Sequence, residues 1–149
     1  MGPIVYSDLR YYHIEPSDLD SIEPGPMELL GDGPWRMCGI GIDEPHVQMV
    51  YEDFFPGHEY RWTVWLDQID LVTEGKAEIT VVLPPELERT KTFIAEAPCL
   101  YLIPRGTRIT WRPLGDGPFR HISIDAPNPG FPIEDGASVL RARAEGREV

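Results

Sequence analysis

Asp70 and His121 are the residues of this chain best suited to move protons inside a folded core. Asp70 lies in the segment QIDLVTEG, where side chains alternate across an extended strand, so Gln68, Asp70 and Val72 share one face. If that face looks into an apolar interior, desolvation favours the neutral carboxyl and lifts its pKa towards values useful for general acid or base work. A purely structural Asp, neutralised by Arg or held by Tyr hydroxyls, fits the same pattern, and both readings stand. His121 and Asp125 share parity in FRHISID, so the imidazole can enter the same cavity. Ile122 and Ile124 have the opposite parity, which would equally suit an outward-facing histidine on a strand edge.

The surroundings expected for this pair are aromatic. Tyr60, Trp62, Tyr101 and Trp111, with the amide of Gln68, would line a pocket suited to a planar or hydrophobic small molecule, although core packing uses the same residue types. Arg108 is the candidate for clamping a substrate carboxylate, within a group that includes Arg61, Arg105 and Arg112. No histidine or cysteine spacing of the kind that marks a zinc site is present, and no cofactor is expected. Were a divalent metal bound, His58 and His121 would be its first ligands, with Asp70 beside them. His13 and His46 fall in loop-like sequence.

The elements that must position these residues are strands. Runs rich in Val, Ile, Thr, Tyr and Trp, punctuated by 14 Gly and 16 Pro, leave little room for long helices. Strands are expected at 35–42, 47–55, 58–65, 68–74, 76–83, 91–96, 99–103, 107–112 and 119–125. Turns fall at Glu74-Gly75 and at Pro104-Arg105-Gly106, where glycine supplies the permissive backbone. Residues 1–34 form an irregular arm, too rich in Tyr and Leu to be a solvated extension, that packs on the barrel or on a partner. Residues 35–130 form the barrel, and 131–149 a C-terminal tail assigned no chemistry.

At 149 residues one domain suffices. A formal charge of −12, from 25 acidic and 13 basic residues, repels a polyphosphate backbone and argues against nucleic acid as a partner. Two cysteines, Cys38 and Cys99, cannot make a disulfide framework, and the N-terminus does not read as a signal peptide, so a cytoplasmic protein is expected. No apolar run approaches a membrane span. The apolar arm and the exposed edge strand WRMCGIGI suggest a homodimer.

The hairpin WTVWLDQIDLVTEG-KAEITVVL and the downstream LIPRGTRITW resemble the two signature motifs of the cupin superfamily. That resemblance implies an all-β, single-domain cupin: a conical jelly-roll barrel, or double-stranded β-helix. Within it, Trp62-Thr63, Asp67, Ile69-Asp70, Val72-Thr73-Glu74-Gly75 and Ile103-Pro104-Arg105-Gly106 are similar to the ethanolamine-utilisation protein Q branch. Members of that branch likewise lack the usual metal-binding histidines. Hanging the motifs on Gly75 and on Pro104 and Gly106 puts Trp62, Val64, Gln68 and Ile109 at the metal-ligand positions, so the usual metal site is expected to be missing. The functional expectation is a small-molecule enzyme of lyase, isomerase or cyclase type, using Asp70 and His121. The alternatives are a metabolite-binding cupin without catalysis, and a metal-dependent enzyme with atypical ligands.

Overall fold

The computed structural model describes residue 9, residues 11–25 and residues 33–128. The expected tail at 131–149 lies outside the described residues, as does part of the arm. One short helix, α1 (Pro16–Asp20), precedes nine strands: β1 (Trp35–Glu44), β2 (Val47–Phe54), β3 (Tyr60–Thr63), β4 (Gln68–Glu74), β5 (Lys76–Leu83), β6 (Arg89–Glu96), β7 (Cys99–Ile103), β8 (Arg108–Leu114) and β9 (Phe119–Asp125). They form two antiparallel sheets, ordered β1-β2-β9-β4-β7 and β3-β8-β5-β6. Chain neighbours repeatedly fall in different sheets, the interleaving of a jelly roll.

Alternation along the strands decides which residues meet between the sheets. In β5, Ala77, Ile79 and Val81 are buried, and in β8, Ile109, Trp111 and Pro113 are. All of these but Pro113 join Phe54, Tyr60, Val64, Val72, Ala95, Ile103 and Phe119 in one apolar core. Polar side chains of β2, β4 and β9 share the space between the sheets with this core, His121 lying against Phe54, Trp111 and Phe119.

The connection from β4, which carries Asp70, to β5 passes from one sheet to the other rather than closing the expected hairpin, and it is fixed by Gly75, whose φ of +79° favours glycine. A Cβ built there would also stand 2.3 Å from the carbonyl oxygen of Pro118. Gly75→Ala should therefore cost about 1–3 kcal/mol, read as a lower urea midpoint at unchanged slope.

Strand β9 is buried on both faces, because the arm covers the outer side of the sheet. The first turn of α1 is closed by a reciprocal capping box between Glu15 and Asp18, with Pro at the permitted start. Leu19 is buried there, with Tyr12, Ile14, Ile22 and Tyr51 packed against it. Beneath the arm lies a buried ionic network. Arg120 donates from Nε to Asp53 Oδ1 and from Nη2 to Asp53 Oδ2, both at 2.8 Å, and from Nη2 to Asp20 at 2.6 Å. Arg36 adds a 2.7 Å bond to Asp53 and another to the Ile22 carbonyl. The network ties β1, β2 and β9 to the arm.

Candidate active site

Strand pairing gathers the inward-facing polar residues. Asp70 sits opposite Ser123 on β9 and Tyr101 on β7; Gln68 sits opposite Asp125, and Val72 opposite His121. On the other side of β9, Glu52 faces His121 and Gln48 faces Asp125. Asp70 and His121 are therefore diagonal neighbours on one face, a separation of roughly 7–8 Å in a regular antiparallel pair.

Both residues are fully buried. One Asp70 oxygen accepts from the Gln68 amide at 2.8 Å, while its Oδ2 has no hydrogen-bond partner. Neither ring nitrogen of His121 has one either; Nε2 stands 3.6 Å from Glu52 Oε1, an ion pair without a hydrogen bond. Trp111, reaching over from the other sheet, stacks on the imidazole at 6.3 Å and 12°, and Phe54 and Phe119 flank it. The indole N–H of Trp111 donates to the Tyr101 hydroxyl at 3.0 Å, and that of Trp35 donates to Glu52 Oε2 at 3.0 Å. The aromatic walls thus orient the polar groups as well as excluding water.

Burial is the first influence on each titration. It pushes the Asp70 carboxyl up and Glu52 adds to this, while His121 and Gln68 pull the other way. The imidazole of His121 loses basicity by burial but gains more from Asp70 and Glu52, so its pKa lies above the ordinary histidine value. Asp125, nearer the rim, is pushed up to about 7 by burial and by the charges of Glu52 and Asp70. Tyr101 is raised well above the ordinary phenol range by burial and the neighbouring Asp70. Groups of both kinds are therefore poised away from their solution values inside one enclosure.

The other expected site residues are distributed unevenly. Trp111, Tyr101 and Gln68 belong to the enclosure. Tyr60 shares the core, but its hydroxyl is already used, donating to the Pro34 carbonyl at 2.5 Å and accepting from the Phe55 N–H at 3.0 Å. Trp62 is half-buried and stacks on the exposed Trp65. Arg108 requires a correction: it alternates with the buried Ile109 and stands exposed on the outer face of β8, where it cannot clamp a ligand held between the sheets. His58 packs beside Gly33, whose missing Cβ leaves space for it, rather than beside His121. The outward alternative for His121 is also overturned, because Ile122 is accommodated on the outer face under the arm.

The four positions that hold metal in the motif pattern, Trp62, Val64, Gln68 and Ile109, offer one amide between them, and Val64 and Ile109 are buried core. They do not fit a divalent ion. Among the described residues no group of three His, Cys, Asp or Glu side chains is arranged to hold one. Glu52, Gln48 and Ser123 were not singled out by the sequence. The available signal was the parity of Gln48, Glu52 and Phe54 along β2, but only the β2–β9 pairing shows which residues they face.

The arrangement has known counterparts in fold. A cupin-like protein from Thermotoga maritima superposes with a TM-score of 0.58 at 20% identity, over 83% of this chain and 92% of that one. The EutQ protein of Clostridium difficile gives 0.50 at 19% identity, covering 65% and 71% of the two chains. Bacillus subtilis oxalate decarboxylase, described with Mn(II) centres, gives 0.56 at 19% identity, over 74% of this chain but 29% of the enzyme. The fold is therefore that of the cupins, all-β and antiparallel. No family model and no curated protein sequence matches the chain.

Proposed function

We propose that this cupin-fold chain is a small-molecule enzyme of lyase, isomerase or cyclase type, with Asp70 and His121 exchanging protons with a substrate held between the sheets. The observation that carries the reading is the pair of fully buried ionisable side chains with unpartnered atoms facing one aromatic-lined enclosure. Buried polar groups are ordinarily satisfied, and orphans of this kind call for a role.

The chemistry suits a low-dielectric interior. With Asp70 ionised and His121 protonated, Asp70 takes a proton from one substrate atom while His121 delivers one to a neighbouring atom. The pair ends neutral, so the total charge of the enclosure is unchanged and no counter-ion has to enter. Glu52 steadies the imidazolium before transfer, and the Gln68 amide holds the Asp70 carboxylate in place.

The test is incubation of the purified protein with a pooled metabolite extract, followed by mass spectrometry. The expected result is loss of one compound and gain of an isomer, or of a product lighter by a neutral fragment, with no change when the Asp70→Asn or His121→Gln variant is used. A compound retained but never converted would instead identify a binding protein.

We also infer a cytoplasmic homodimer. Among the described residues no helix is long and apolar enough to cross a membrane. The arm residues Tyr12 and Ile14 cover their own barrel, but the outer faces of β4 and edge strand β7 leave Ile69, Leu71, Leu100 and Leu102 at 36–69% exposure. A second copy would cover them. Sedimentation should give a dimer, and Leu100→Glu with Leu102→Glu should give a monomer with the barrel intact.

A further inference from the structure

The enclosure has an imbalance of charge and of hydrogen-bonding capacity that specifies what it can hold, granted the acid–base reading above. Its acids are Glu52, Asp70 and Asp125, against the single base His121. The described cations lie elsewhere. Arg36 and Arg120 are committed to Asp53 on the outer face, and Arg112 to Glu59 and Glu78. Arg61, Arg89, Arg105, Arg108, Lys76 and Lys91 are exposed.

Three of the surrounding donors are used internally. The Gln68 amide serves Asp70, the Trp111 indole serves Tyr101, and the Trp35 indole serves Glu52. What remains without a partner there is one carboxylate oxygen of Asp70 and the two ring nitrogens of the fully buried His121. A carboxylate or phosphate ligand would meet three acids, and the one cationic donor open to it, His121, already stands against Glu52 and Asp70. A group that donates hydrogen bonds and carries positive charge would find acceptors on β2, β4 and β9 together.

We propose that the ligand of this enclosure is a small molecule bearing a protonated amine, whose ammonium group sits between Asp70, Glu52 and Asp125, and that carboxylates and phosphates are excluded. The remainder of such a ligand lies against Trp111 and Phe54, where an aliphatic chain or ring is favoured and a cation gains from the indole face.

The experiment uses three probes of one shape, propylamine, propanol and propionate, titrated separately into the intact protein in an amine-free buffer. The imidazole ¹⁵N resonances of His121, assigned with the His121→Gln variant, report occupancy. Propylamine is expected to shift them and to bind about tenfold or more tightly than propanol, the size of one favourable ionic contact. Asp125→Asn should weaken propylamine and leave propanol unchanged. Equal or tighter binding of propionate overturns the charge assignment while leaving the acid–base site standing. Displacement of the His121 signals by Mn²⁺ but not by propylamine also overturns it. Silence of His121 to all three probes overturns it too, and the metabolite conversion assay then judges the enzyme reading separately.

Discussion

Asp70→Asn is expected to abolish conversion of the substrate, by roughly 10²–10⁴-fold, while leaving the fold as stable as before or more so. The sign follows from where the group sits. Its folded-state pKa is raised, chiefly by burial, so the native protein binds this proton more tightly than the unfolded chain does. The stability contributed by protonated Asp70 is complete below the unfolded carboxyl value and is lost as pH rises towards the folded one. Asp125, raised to about 7, acts in the same direction between its ordinary range and neutrality. His121, also raised, contributes stability that is complete below its ordinary value and disappears at higher pH. All three therefore make the native state weaker as the solution becomes more alkaline.

Replacing Asp70 by Asn removes one of these losses, keeps an oxygen for the Gln68 amide and preserves the volume. Thermal unfolding of variant and wild type should nearly coincide at low pH and diverge in favour of the variant above neutrality. The same change removes the largest influence raising the imidazole, so the His121 pKa should fall in the variant, as read by NMR titration. A merely structural Asp70 would show the reverse: large destabilisation with conversion retained.

How much of this the sequence disclosed differs between fold and site, for a physical reason. Strand positions are local, and alternation in QIDLVTE and KAEITVV placed β4 and β5 at their observed bounds. Gly75 and Gly106 both have positive φ, at +79° and +90°, as their turns required. Boundaries were less legible: β3 is limited to Tyr60–Thr63, and β6 begins two residues earlier than expected, at Arg89. The partners of a side chain are not local. His121 could not be oriented from FRHISID because β9 is buried on both faces, so hydrophobic parity carried no information there. Glu52 reaches His121 through a pairing of strands far apart in sequence. Arg108 was misplaced for a related cause: its alternation with Ile109 and Trp111 was visible, but a cationic side chain was credited with a ligand when its strand face pointed to solvent. Charge excess on a strand says nothing of direction until the buried neighbour is chosen.

The second large effect is expected far from the enclosure, at Arg120. It is 1% exposed, as is Asp53, and the two are joined by two parallel hydrogen bonds of 2.8 Å. Burial alone would discourage its charge, but the hydrogen bonds from Asp53 and Asp20 outweigh this and hold the guanidinium firmly protonated. Arg120→Met keeps much of the aliphatic volume and removes the charge, leaving Asp53 buried with only Arg36 as a cationic partner. The cost of stranding one member of a buried pair is about 3–5 kcal/mol, a large part of the stability of a domain this size. It should lower the melting temperature by roughly 6–20 °C, with little dependence on salt because the pair is shielded from solvent. Asp53→Asn in the same chain removes the stranded carboxylate and should recover part of the loss, which separates the penalty of an orphan charge from the value of the contact. Because the arm is anchored through Asp20 and the Ile22 carbonyl, hydrogen exchange in residues 11–25 should accelerate in Arg120→Met before the barrel strands do. The Asp70–His121 enclosure lies on the opposite face of the same sheet, so activity per folded molecule should survive. If exchange instead rose first in β4 and β5, the network would be holding the barrel itself rather than fastening the arm to it.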